Sequence, residues 1–157
     1  MALSIGQTAP EFSLYDETKT VRSLSEFKGK NVVLAFYPGA FTGVCNAEMC
    51  AFQDGMANLK ELNAQVIGVS VDMPFTAKVF SDRYKLGFPL FSDFNREVIK
   101  QYDVLLHDFV FIPGLDSCQR TVYLLDGEGV IRYVEVTANP GVEPNYAALM
   151  SAIEGLV

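Results

Sequence analysis

Apolar residues along the chain fall into short continuous runs separated by turn residues and by stretches with helical spacing. Asn31 to Tyr37 and Gln65 to Val71 are almost wholly apolar. Runs of that kind are strands covered on both faces, as in a parallel or mixed sheet. Between them, Val44 to Leu62 sets Met49, Phe52, Met56 and Leu59 on one face at helical spacing, which predicts one long helix. The polar turn Asp16-Glu17-Thr18-Lys19 divides Phe12-Ser13-Leu14-Tyr15 from Thr20-Val21-Arg22-Ser23-Leu24 and predicts an opening hairpin. Ser23 or Ser25 can cap a short turn toward Phe27 and Gly29. Pro74 suits the first turn of a helix through Ala77, Val79, Phe80 and Tyr84. Phe88 to Phe91 reads as extended, Asn95 to Tyr102 as a short helix, and Asp103 to Cys118 as irregular and aromatic. Gln119 to Leu125 and Val130 to Val136 flank Asp126-Gly127-Glu128-Gly129 as a second hairpin, and Asn145 to Leu156 closes the chain as a helix.

That order, a β-hairpin, then βαβα, then ββα, predicts an α/β fold. It is the thioredoxin-like arrangement with an N-terminal β-hairpin extension and an inserted helix. A length of 157 residues predicts a single domain, 1–157. The net charge of −7, with basic residues scattered, argues against nucleic acid as a partner. Met1-Ala2-Leu3-Ser4 lacks the basic and apolar regions of a signal peptide. No apolar run approaches the ~20 residues of a membrane span, so no membrane partner is expected. Three cysteines are too few for a disulfide scaffold, and cysteines of a reducing, cytoplasmic protein tend to be catalytic or redox-active.

Candidate chemistry concentrates in one run, Tyr37-Pro38-Gly39-Ala40-Phe41-Thr42-Gly43-Val44-Cys45-Asn46-Ala47-Glu48-Met49-Cys50. A strand leads through Pro and Gly into a helix start, which puts Cys45 in the first helical turn. Unpaired backbone N–H groups and the positive end of the helix dipole favour a thiolate there. Thr42 suits a helix N-cap and can also turn its hydroxyl toward the sulfur and a substrate.

The pattern Pro38-x-x-x-Thr42-x-x-Cys45 resembles the active-site signature of the peroxiredoxins, the thiol peroxidases. The resemblance runs from Ile5-Gly6-Gln7-Thr8-Ala9-Pro10-Glu11-Phe12 to the final helix. Ala40-Phe41-Thr42-Gly43 is similar to the AhpE-like subgroup, and the Cys45/Cys50 spacing to the bacterioferritin-comigratory, or PrxQ, subgroup. The resemblance implies that Cys45 attacks a peroxide and becomes a sulfenic acid. Pro38 would shield the sulfur, and Thr42, Val44, Cys45, Glu48 and Arg120 would surround the substrate. Arg120, ahead of Thr121-Val122-Tyr123-Leu124-Leu125, would lower the thiol pKa of Cys45 and hydrogen-bond the transition-state oxygens. Glu48 matches a polar residue that orients this arginine, or simply complements the helix dipole.

Cys50 is the candidate resolving cysteine. Five helical residues turn roughly 500° and rise about 7.5 Å, so the two sulfurs point apart and cannot bond while the helix is intact. A Cys45–Cys50 disulfide therefore requires the first turns to unwind. Cys118, two residues before Arg120, would share a face with it if both lay in one strand; an inert or backup thiol is the plainer reading. His107 reads as a solvent or packing residue. The cysteine and histidine spacing fits no structural zinc site, and no nucleotide loop occurs, so no cofactor is implied. The partners implied are a hydroperoxide, a thioredoxin- or glutaredoxin-like reductant, and a second copy in a homodimer through the active-site end, where Phe36, Tyr37, Phe41 and Phe109 to Phe111 crowd. Two alternatives stand: a one-cysteine peroxidase resolved by an external thiol, and a redox-switched binding module.

Overall fold

The computed structural model describes residues 2–156. Its elements are strands β1 (Ser13–Asp16), β2 (Val21–Ser23) and β3 (Asn31–Phe36), helices α1 (Gly43–Asp54) and α2 (Met56–Glu61), strand β4 (Ala64–Ser70), helix α3 (Pro74–Tyr84), strand β5 (Leu90–Ser92), helix α4 (Glu97–Gln101), strands β6 (Leu105–Leu106), β7 (Ser117–Cys118), β8 (Thr121–Leu125) and β9 (Ile131–Val136), and helix α5 (Tyr146–Glu154). Seven strands form one mixed sheet in the order β2-β1-β5-β4-β3-β8-β9, with β6 and β7 pairing separately. This is the expected α/β, thioredoxin-like sheet with its N-terminal hairpin.

β3 lies inside the sheet, parallel to β4 and antiparallel to β8. Its continuous apolar run is explained by helices or loops on both faces. Side chains alternate along it. Val32, Leu34 and Phe36 enter one core, and Val33, Ala35 and Tyr37 enter the other. The second core also holds Cys45, Met49 and Phe52 from α1. Gly68 of β4 lets Tyr37 lie flat on the sheet: a Cβ there would stand 2.7 Å from Leu90 Cδ2 and 3.2 Å from Tyr37 Cε1.

Four expectations need correction. The long helix 44–62 is interrupted at Gly55, where helical propensity is lowest short of proline, although Gly55 N–H still reaches the Ala51 carbonyl. The region 103–118 is not wholly irregular: Leu105 pairs with Cys118 and Leu106 with Ser117. Cys118 therefore lies in β7, not in one strand with Arg120, and it packs in the core on the far side of the sheet from Cys45. Phe36 and Tyr37 are wholly buried in the two cores and offer no surface to a second copy. Exposed aromatic surface lies instead at Phe111, 98% exposed, and Phe41, 39% exposed.

Candidate active site

The turn between β3 and α1 builds the site. Thr42 is the N-cap of α1, with φ −90° and ψ 134°, and Cys45 is the third helical residue. Phe41 sits in the left-handed region at φ 64°, a conformation that neighbouring contacts must hold for a bulky residue. They do so from several sides. Tyr37 N–H donates to Val69 O at 3.0 Å, and Ala40 N–H to Asp72 Oδ2 at 2.7 Å. Ser117 Oγ donates to Pro38 O at 2.5 Å, and Cys118 Sγ to Tyr37 O at 3.0 Å. The Phe41 ring packs edge-on against Phe80, 5.3 Å between centroids, with the Arg83 guanidinium 5.1 Å from its own centroid. Thr42 Oγ1 donates to Gly39 O at 2.8 Å and caps no helical N–H, which leaves its lone pairs available as acceptors.

Cys45 is 0% exposed. Arg120 Nη2 donates to its sulfur at 3.0 Å, and Nη1 donates to Glu48 Oε2 at 2.5 Å. Nε and Nη2 also reach the Pro140 carbonyl, at 3.1 and 2.9 Å. The guanidinium is thus fixed in its own plane, with one edge toward the sulfur. Glu48 is 0% exposed, and burial pushes its carboxyl up to about 7 against the pull of Arg120. Arg120 is held above its ordinary value by Glu48 and Cys45, which outweigh its own desolvation.

The structure thus brings Cys45, Glu48 and Arg120 into one buried cluster, with Thr42 at the helix start, Pro38 buried behind it and Val44 half-buried. Cys50 stands apart, half-buried on α1, its thiol raised by burial and then by Asp54. Cys118 is raised well above the usual thiol range by burial. His107 joins neither: its Nδ1 lies 3.0 Å from Asp116 Oδ1, with the side chain 71% exposed. No group of three His, Cys, Asp or Glu side chains converges as a metal site among the described residues. Sequence reasoning passed over Asp72, Ser117 and the Pro140 carbonyl. Only Asp72, a polar residue just past an apolar strand, carried a local signal.

The AhpC/TSA family model matches residues 5–134. The chain belongs to the AhpC/TSA family. It is 40% identical over 132 residues to "Peroxiredoxin Q, chloroplastic" of Oryza sativa subsp. japonica, covering 84% of this chain and 58% of that protein. It is 37% identical over 134 residues to "Putative peroxiredoxin bcp" of Coxiella burnetii, covering 85% of this chain and 89% of that protein. The matched stretch thus spans little more than half of such plant relatives. Among solved structures it superposes on peroxidoxin BcpB from Mycobacterium tuberculosis with a TM-score of 0.85 and 27% identity, over 98% of this chain and 97% of that one. AhpC from the same organism gives 0.84 and 27%, over 99% and 94%. These relatives are consistent with the PrxQ- or bcp-like subgroup of the family. No helix among the described residues is long and apolar enough to cross a membrane.

Proposed function

We propose that the chain is a thiol peroxidase that reduces hydrogen peroxide and small organic hydroperoxides. One observation carries this reading: a fully buried cysteine at a helix start, with a fixed guanidinium 3.0 Å from its sulfur. Cys45 attacks the peroxide, the O–O bond breaks, and the sulfur becomes a sulfenic acid. Thr42 and Arg120 orient the peroxide and stabilise the departing oxygen, Val44 walls the substrate, and Pro38 keeps water from the sulfur. Cys50 then displaces water from the sulfenic acid to form an intramolecular disulfide, after the first turns of α1 unwind. A thioredoxin- or glutaredoxin-like dithiol restores both thiols, in a reducing compartment such as the cytosol. The Val110-Phe111-Ile112 tip, with Phe111 98% exposed, is the candidate contact for a second copy at this end of the molecule.

The intact α1, with Cys45 sealed and Cys50 half-buried, also supports a one-cysteine variant in which an external thiol resolves. The test is one equivalent of hydrogen peroxide on reduced protein, followed by alkylation and cysteine mapping by mass spectrometry. A Cys45–Cys50 bridge supports the two-cysteine cycle. A Cys45 sulfenic acid with Cys50 and Cys118 still alkylated supports the one-cysteine cycle. Peroxidase turnover retained by Cys45→Ser overturns both.

A further inference from the structure

Orienting Arg120 needs only one oxygen of Glu48, yet the whole carboxyl is sealed in. Oε2 accepts a hydrogen bond from Arg120 Nη1, and Oε1, also buried, has no hydrogen-bond partner. Glu48 follows Cys45 by three residues on α1, a spacing that puts the two Cβ atoms roughly 5–6 Å apart on one helical face. The guanidinium spans the pair, with Nη2 on the sulfur and Nη1 on the carboxylate. Any substrate seated on Arg120 is therefore bracketed by a nucleophile and a carboxyl group.

We propose, resting on the peroxidase reading, that Glu48 is a catalytic residue that carries the proton of the reaction. It takes up the Cys45 thiol proton and hands it to the oxygen that leaves. The thiolate sulfur bonds to the hydroxyl-bearing oxygen of the peroxide, and the O–O bond breaks. Its electron pair departs on the other oxygen as hydroxide or alkoxide. Glu48 returns the proton to that oxygen, giving water or an alcohol, and is again a carboxylate. Sulfur is oxidised, the peroxide is reduced, and no net proton is gained or lost. Hydroxide and alkoxide are poor leaving groups, so a proton delivered inside a water-free pocket lowers the barrier.

Burial gives the carboxyl the affinity this role requires, holding it near about 7, where uptake and release are both accessible. The groups that face it are Arg120, which lowers it, and Glu143 and Glu135, which raise it. Tyr146 of α5 and Cys118 also feel its charge.

The test compares two oxidants on reduced protein, hydrogen peroxide and peracetic acid. The peracid expels a carboxylate, which needs no proton. Glu48→Gln keeps an acceptor for Arg120 and removes the transferable proton. The ratio of the rate constants, hydrogen peroxide over peracid, is expected to fall about 10²-fold or more in this variant. An unchanged ratio overturns the proposal, whether both rates fall together, as for a pure orienting role, or neither falls. A wild-type measurement needs no variant to fold. The same ratio, corrected for peracid dissociation, should decline from about pH 6 to about pH 9 as Glu48 loses its proton, and a flat ratio overturns the proposal. Wild-type Cys45 resisting both oxidants would instead overturn the peroxidase reading beneath it.

Discussion

Replacing Arg120 by Met isolates the ion pair at the centre of the site. In a Cys45→Ser background, no thiolate contributes to the comparison. The substitution removes the bonds to Glu48 and to the Pro140 carbonyl and leaves Glu48 buried without its cation. Breaking a buried pair in this way costs about 3–5 kcal/mol when the orphaned charge stays ionised. The carboxyl has an alternative, because it can take a proton. With Arg120 in place it already titrates at about 7, raised by burial above the ordinary range of a glutamate. Without the guanidinium it titrates higher still. Below about 7 Glu48 is protonated in both folded proteins, and the penalty for ionising it is absent from both. The stability difference there contains only the lost hydrogen bonds. Above about 7 the parent ionises and the Arg120→Met protein does not. The difference then widens by about 1.4 kcal/mol per pH unit. Between about pH 5.5 and about pH 8.5 the gap should grow by roughly 2 kcal/mol, read by urea unfolding with matched m-values. An equal difference at both pH values would refute the account of Glu48 as a carboxyl raised by burial and restrained by Arg120.

Three further outcomes follow from named contacts. Tyr84→Phe removes the hydroxyl that accepts from Asn46 Nδ2 at 2.9 Å and leaves that half-buried amide nitrogen unpaired, so α1 should unwind more easily at its start. A loss of about 1 kcal/mol predicts roughly fivefold faster Cys45–Cys50 disulfide formation after peroxide, followed by stopped flow and alkylation, and an unaltered rate would count against it. Gly68→Ala should cost about 1–3 kcal/mol in thermal or denaturant unfolding, because its Cβ meets Leu90 at 2.7 Å on a packed sheet face. Phe111→Ser should leave the monomer's stability nearly unchanged while shifting sedimentation toward the monomer, since the side chain is 98% exposed in one chain; a dimer that persists would place the interface elsewhere.

The strands of the main sheet and their succession along the chain were legible because each carried its own signal. Asn31–Phe36 and Ala64–Ser70 are apolar on both faces, and Thr121–Leu125 and Ile131–Val136 meet across a Gly-rich turn. What failed was finer. A single glycine divides 44–62 into two helices because a one-residue fault leaves the apolar spacing of Met49, Phe52, Met56 and Leu59 intact on both sides. The short strand at Cys118 was hidden for a related reason. A two-residue strand has no periodicity to read, and whether Ser117–Cys118 continues into β8 depends on how the chain crosses at Gln119, where N–H donates to Val104 O at 2.7 Å.

The site shows the same division between local and distant information. Cys45, Thr42 and Pro38 stand within eight residues of one another, so the helix start that gathers them is written in their own segment. Arg120 reaches Cys45 across 75 positions and Asp72 reaches Ala40 across 32. Ser117 enters by donating to the Pro38 carbonyl, and Pro140 by accepting from Arg120 at its own carbonyl. A carbonyl acceptor is offered by every residue, so no residue type marks the Pro140 position in the chain. Its role arises only when β9 ends and the turn before α5 brings that oxygen against the guanidinium. The most specific part of the site, the fixed plane of Arg120, therefore depends on the least specific chemistry in the sequence.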